Sequence, residues 1–224
     1  MAFNPVNYTA PEPKYIPVVL LLDTSYSMQG SKIDNLNKAV KTMIEEFKKV
    51  QTKERFIKVA IITFGNGGVQ LHTKNMENVL DINFQDLSVG GSTPMGTALR
   101  MAKDMIEDRN IITSRDYRPA VVVVSDGQPN DEWRKPLDDF INTGRTKKSD
   151  RLALAIGSDA DIDVLNRFIE GCDNPVFFAQ EAKDIVDKFK QITMSVTMRT
   201  KSTNPNQTIN VTSFEDDDED ELDF

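Results

Sequence analysis

Seven residues without a polar side chain, Ile16 to Leu22, run up to an acidic one, Asp23. An uninterrupted apolar run of this length fits a central strand covered on both faces, with Pro17 near its start. Ala120–Ser125 repeats the pattern and also ends in an aspartate, Asp126. Phe56–Phe64, Leu152–Ile156 and Val176–Ala179 read as further strands. Gly65-Asn66-Gly67-Gly68 is a tight turn, so Val69–Thr73 is expected to pair back antiparallel.

Between the strands the apolar spacing changes to the helical one. Ile33, Leu36, Val40, Met43, Ile44 and Phe47 share one helix face, with Ser31 as the expected N-cap. Met95, Ala98, Leu99, Ala102, Met105 and Ile106 form a second stripe. Thr93 is the expected cap there, with Pro94 at the first helical position. Trp133, Leu137, Phe140 and Ile141 mark a third helix, and Ile162, Leu165, Phe168 and Ile169 a short fourth. Ala182, Ile185, Val186, Phe189 and Ile192 mark the last.

Strands alternating with helices imply an α/β fold. The expected architecture is a doubly wound, mostly parallel central sheet with one antiparallel edge strand and helices on both faces. The expected organisation is an N-terminal arm over 1–13, one domain over 14–198, a flexible polar linker over 199–213 and an acidic disordered tail over 214–224.

Charge adds one correction to this picture. The formal net charge is −8, but Glu215–Phe224 contains eight acidic residues and no basic one. Without them acids balance Lys plus Arg at 27 each, so the body is neutral and offers no basic footprint for nucleic acid. Cys172 is the single cysteine, which excludes an intramolecular disulfide. No apolar run is long enough to span a bilayer, and Met1–Ala10 has no signal-peptide pattern, so the expected location is cytoplasmic.

Three segments carry the chemistry. Asp23-Thr24-Ser25-Tyr26-Ser27 and Asp126-Gly127 each follow a buried strand, and Gly90-Gly91-Ser92-Thr93-Pro94-Met95-Gly96 opens a helix. In an open α/β sheet such points meet at the ligand crevice beyond the strand ends. Two carboxylates, Asp23 and Asp126, and three hydroxyls, Ser25, Ser27 and Thr93, suit a hard cation such as Mg²⁺. They suit covalent catalysis poorly, because no histidine or lysine in these segments would activate a nucleophile.

In order and context these segments resemble a von Willebrand factor A domain with a metal-ion-dependent adhesion site (MIDAS). The family pattern is an apolar strand, Asp-x-Ser-x-Ser, a Thr before a helix, and a second apolar strand ending in Asp-Gly. The resemblance covers about residues 14–198. Within the family, Pro17–Ser25 and Tyr117–Trp133 are most similar to bacterial TerY-like and YegL-like proteins associated with tellurium resistance. The resemblance implies a site in which Ser25 and Ser27 bind Mg²⁺ or Mn²⁺ directly. Thr93 would bind directly in the ligand-competent state, and Asp23 and Asp126 mostly through water. It also implies a protein partner presenting Asp or Glu, a stress-response or defence setting, and an associated kinase or phosphatase, with no part for membrane or nucleic acid. Two residues depart from the pattern. Tyr26 replaces a small residue and is expected to pack over the loop, the alternative being an aromatic contact for a ligand. Ser92 lengthens the second segment by one residue and is a minor alternative to Thr93.

Other reactive residues read as structural. His72 falls on the third strand, away from the crevice, and Cys172 as a reduced thiol. Arg145, Lys147, Lys148 and Arg151 read as a solvated loop. Asp131 is expected to cap the helix after it, the alternative being support of the metal ligands. The competing functions are a phosphohydrolase using Asp23 and a secreted adhesin. The first wants an acid two residues after the nucleophile, where Ser25 stands. The acidic tail reads as a solubilising or partner-recruiting run, the alternative being that the fifteen-residue linker lets it reach the crevice and compete there.

Overall fold

The computed structural model describes residues 13–51 and 55–210. The expected acidic tail, the last three linker residues and nearly all of the N-terminal arm lie outside the described residues.

The apolar runs pair into one sheet. Its strands are β1 (Lys14–Thr24), β2 (Arg55–Gly65), β3 (Gly68–Leu71), β4 (Glu77–Asn78), β5 (Ala120–Ser125), β6 (Asp150–Ile156) and β7 (Phe177–Ala179). The order is β3-β2-β1-β5-β6-β7, with β4 also beside β2. β2, β1, β5, β6 and β7 are parallel, and β3 and β4 pair with β2 antiparallel. The two-residue β4 is too short to leave a pattern in the sequence.

Among the described residues five α-helices cover the sheet: α1 (Ser31–Lys49), α2 (Met95–Glu107), α3 (Arg134–Asn142), α4 (Ile162–Phe168) and α5 (Asp184–Lys201). Alternation along β1 divides the core. Ile16, Val18, Leu20 and Leu22 pack with α1 and α5, while Val19 and Leu21 pack with α2, α3 and α4. The predicted stripes of α1 and α2 are buried throughout. On α4, Ile162 is exposed and Val164 takes the inward place.

Three end signals differ from expectation. Gly30, with φ 79°, holds the cap position of α1, and Ser31 is its first helical residue. Pro94 precedes α2 as cap residue, and Thr93 lies one position earlier. The polar stretch from Arg199 is not a free linker as far as it is described. α5 runs to Lys201, and Arg199 is wholly buried, its Nη1 3.6 Å from Asp150 Oδ2. Residues 202–210 then fold back as a strap under the sheet. Asn206 Oδ1 accepts from Arg118 N at 2.8 Å, and Ile209 O accepts from Ser195 Oγ at 2.8 Å. Polar composition misleads here because the strap's carbonyls and amides satisfy buried arginines rather than water; Pro205 O, for one, accepts from Arg199 Nε at 2.8 Å.

The presumed loop of basic residues also differs. Arg151 lies on β6 and is buried, its guanidinium donating to the carbonyls of Phe168 and Glu170 at 2.6 Å each. Arg145 donates to the carbonyls of Ile106 and Ile112. Lys147 and Lys148 remain exposed.

Candidate metal centre

β1 and β5 are neighbours, and the chain leaves their C-terminal ends in loops that open on opposite faces of the sheet. That switch of direction is where open α/β sheets form ligand crevices. Asp23 and Asp126 stand at these two strand ends, both fully buried.

The first and third segments are joined through side chains. Ser25 Oγ lies 3.0 Å from Ser27 Oγ, and Ser27 Oγ donates to Asp126 Oδ1 at 2.7 Å. Asp23 accepts from the Ser25 amide at 2.9 Å and from Ser125 Oγ at 2.6 Å. Burial pushes the Asp23 carboxyl up to about 6, against the pull of the hydrogen bonds from Ser125 and Ser25. Burial there penalises the charged form of the carboxyl unless a cation pairs with it.

Backbone contacts bring in the second segment. Gly90 N donates to Thr24 O at 2.8 Å and Tyr26 N to Gly91 O at 3.3 Å. This approach needs glycine: a Cβ on Gly91, whose φ is +70°, would sit 2.3 Å from Gly65 O. Thr93 is tied to the loop that follows Asp126 by Asn130, whose Oδ1 accepts from Thr93 N and whose N donates to Thr93 O, both at 3.1 Å. Asp131 caps a helix, but not the one that follows it. Its carboxylate accepts from Gly96 N at 2.9 Å and from Thr97 N and Oγ1 at 2.8 Å each, which ties the third segment to the start of α2. Gly96 allows α2 to lie this close, since a Cβ there would meet Glu132 O at 2.2 Å.

Three participants are not among the residues predicted from the sequence. Lys32, at the start of α1, donates from Nζ to Asp126 Oδ2 at 2.6 Å. Ser125 and Asn130 position Asp23 and Thr93. Ser125 did leave a signal: it is a hydroxyl closing an otherwise apolar buried strand. Tyr26 corrects an expectation, since its side chain is 69% exposed at the rim rather than packed over the loop. His72 lies just past β3, its Nε2 2.9 Å from Gln85 O, and takes no part. Cys172 is half-buried and burial raises its thiol pKa, which disfavours the reactive thiolate.

The donor set can be compared with what a hard cation requires. Mg²⁺–oxygen distances of about 2.0–2.1 Å in an octahedron place adjacent ligands roughly 2.9 Å apart. The Ser25–Ser27 separation of 3.0 Å lies close to that edge, and Ser27 Oγ donates to the carboxylate behind it. Among the described residues no three His, Cys, Asp or Glu side chains cluster as a metal would need, so hydroxyls must supply part of any coordination here. The residues fit a hard, oxygen-seeking ion.

Comparison with known proteins agrees with the fold. No curated protein matches the chain at a significant level. Among solved structures it is similar to a von Willebrand factor type A protein from Catenulispora acidiphila (TM-score 0.64, 16% identity, covering 83% of this chain and 43% of that one). It is also similar to the ArnB paralog VWA2 from Sulfolobus acidocaldarius (TM-score 0.59, 16% identity, 83% and 45% covered). A third is proximal thread matrix protein 1 from the mussel byssus, solved with a zinc-occupied MIDAS motif (TM-score 0.63, 14% identity, 81% and 48% covered). The chain thus spans less than half the length of these structures, and at such identity they speak to the fold alone. The sequence profile of the von Willebrand factor type A domain matches residues 18–193, and the chain belongs to that family.

Proposed function

We propose that this protein is a Mg²⁺- or Mn²⁺-dependent protein-binding module that captures an Asp or Glu side chain of a partner. The observation carrying this reading is the pairing of the Ser25 and Ser27 hydroxyls at octahedral spacing, backed by the buried carboxylates of Asp23 and Asp126. A divalent ion bound there supplies a Lewis-acidic centre that attracts an anionic oxygen. The chain's own residues do the rest. Ser25, Ser27 and Thr93 offer neutral oxygens, so little of the cation's charge is cancelled by direct ligands. Asp23 and Asp126 orient those hydroxyls from behind. Tyr26, exposed at the rim, adds an aromatic surface against which the partner's chain can pack.

A binding role is favoured over phosphoryl chemistry by Ser25. It occupies the place of the general acid, and its amide donates to the would-be nucleophile Asp23. The setting we propose is cytoplasmic and bacterial, in a tellurium-resistance-like stress response or defence, with an associated kinase or phosphatase as the class of partner. That setting is supported by the likeness of Pro17–Ser25 and Tyr117–Trp133 to the TerY-like group. The test is capture of an Asp-containing peptide by the full chain in Mg²⁺ and its release by chelator. Equal capture by the wild type and Asp23→Ala would refute the proposal.

A further inference from the structure

The pole of the sheet opposite the metal centre carries a concentrated positive charge. A concavity of about 580 Å³ lies at the N-terminal ends of β5 and β6, lined by Arg109, Arg118, Arg145 and Lys148, with Asp116 as its acid. Asp116 is engaged locally, accepting from Tyr15 N at 3.1 Å and from Thr113 N at 2.8 Å. Arg145 donates to main-chain carbonyls, which hold its guanidinium without cancelling its charge. Arg109 and Lys148 are exposed. In a body whose acids and bases balance overall, the surplus along this lining is local, with the buried Asp150 behind Arg118 offsetting part of it.

The strap fixes where the acidic segment begins. Asn206 lines the concavity, and Thr208 Oγ1 takes a hydrogen bond from Arg118. Asn210 follows, its Nδ2 donating to Asp173 O at 3.2 Å. Four residues of chain separate Asn206 from Asn210 by at most about 13 Å, and five more carry Glu215 up to about 17 Å from Asn210, at roughly 3.3 Å each. That span is long enough for the first acids to reach the concavity. The metal centre is at the other end of β5, eight residues from Arg118, or about 26 Å at ~3.3 Å per residue, before any detour around the helices. Tethering at this range gives an effective concentration on the order of millimolar.

We propose that the acidic segment Glu215–Asp223 docks in its own chain's basic concavity, against Arg109, Arg118, Arg145 and Lys148, and is thereby kept from the metal crevice. This assignment does not depend on metal binding. It replaces competition at the crevice, which the folded strap disfavours by shortening the tether and anchoring it at the opposite pole.

The test uses the full chain, dilute and at low ionic strength. A carbodiimide joins carboxylates directly to adjacent amines, and the junctions are mapped by mass spectrometry. Docking predicts that Lys148 is the principal partner of the carboxylates in 215–223. That product should fall at least fivefold in 1 M NaCl and in the exposed charge reversal Arg109→Glu. Junctions spread evenly over surface lysines, or concentrated on Lys32 beside the metal centre, would overturn the proposal. So would junctions formed chiefly between isotopically light and heavy copies in a mixture, which would mean that the segment docks on a second copy.

Discussion

Asp131→Ala tests how the second and third segments are held together. Asp131 caps the first turn of α2 from outside that helix, 35 residues along the chain from Gly96. Three hydrogen bonds converge on its carboxylate, from Gly96 N, Thr97 N and Thr97 Oγ1. Loss of a helix cap costs about 1–2 kcal/mol. Loss of a negative charge at a helix N-terminus adds ~0.3–1 kcal/mol. The expected destabilisation is thus about 2 kcal/mol. For a chain of this size it corresponds to a drop in melting temperature of about 4–8 °C. Asp131→Asn keeps one acceptor and should lose less. Denaturant unfolding gives the total, and amide hydrogen exchange locates it. Gly96 and Thr97 should lose protection in the variant, while the amides opening α3 should not. Since Thr93 lies just before α2, metal affinity should fall too, although Asp131 touches none of the five proposed ligands. A stability change within ~0.5 kcal/mol, or lost protection in α3 instead of α2, would refute the reasoning.

Further outcomes follow from the same geometry. The folded, metal-free protein holds the Asp23 proton more tightly than the unfolded chain does, with a carboxyl raised from 3.8 to about 6. Stability in chelator should therefore fall by roughly 3 kcal/mol as pH rises from about 4 to about 6 and then level off. Asp23→Asn should remove that component, and identical pH profiles for variant and wild type would contradict it. Lys32→Met frees Asp126 from a half-exposed ion pair worth about 1 kcal/mol, so calorimetric Mg²⁺ affinity should rise roughly fivefold. An unchanged or weaker affinity would show that Lys32 does not compete for Asp126. Tyr26→Ala should weaken peptide capture while leaving metal affinity unchanged, as read by titrating each in turn, and parallel losses would contradict its place at the rim. Thr93→Ala should weaken peptide capture more than metal affinity, because its ligation belongs to the ligand-bound state; equal losses would contradict that division.

The carboxylates were legible because each closes an apolar run. A charged residue at the end of a buried strand is marked by its neighbours, as Asp23 is by Leu20–Leu22 and Asp126 by Val121–Val124. The helix stripes were legible for the same reason, since burial imposes a period on the chain. The residues that escaped are polar groups whose partners are remote in sequence. Lys32 and Asp126 are 94 residues apart, and nothing near Lys32 distinguishes it from a solvated lysine. Asp131 has the chemistry of a cap, but its chain neighbours point to α3 rather than to the helix it serves. The strap shows the same limit: a polar stretch reads as a linker until Arg118 and Arg199 are seen to donate hydrogen bonds to it. Periodicity reports burial of apolar faces and is silent about pairing between polar groups.

The central claim is that Asp23, Ser25, Ser27, Thr93 and Asp126 form one cation site, and calorimetric titration of the full chain with Mg²⁺ and Mn²⁺ tests it most directly. Asp23→Ala, Ser25→Ala and Asp126→Ala serve as comparisons, with circular dichroism to establish that each remains folded. The account predicts saturable one-to-one binding by the wild type, tighter when acetate or an Asp-containing peptide is present, and none by the three folded variants. Equal metal binding by the wild type and all three variants would contradict it.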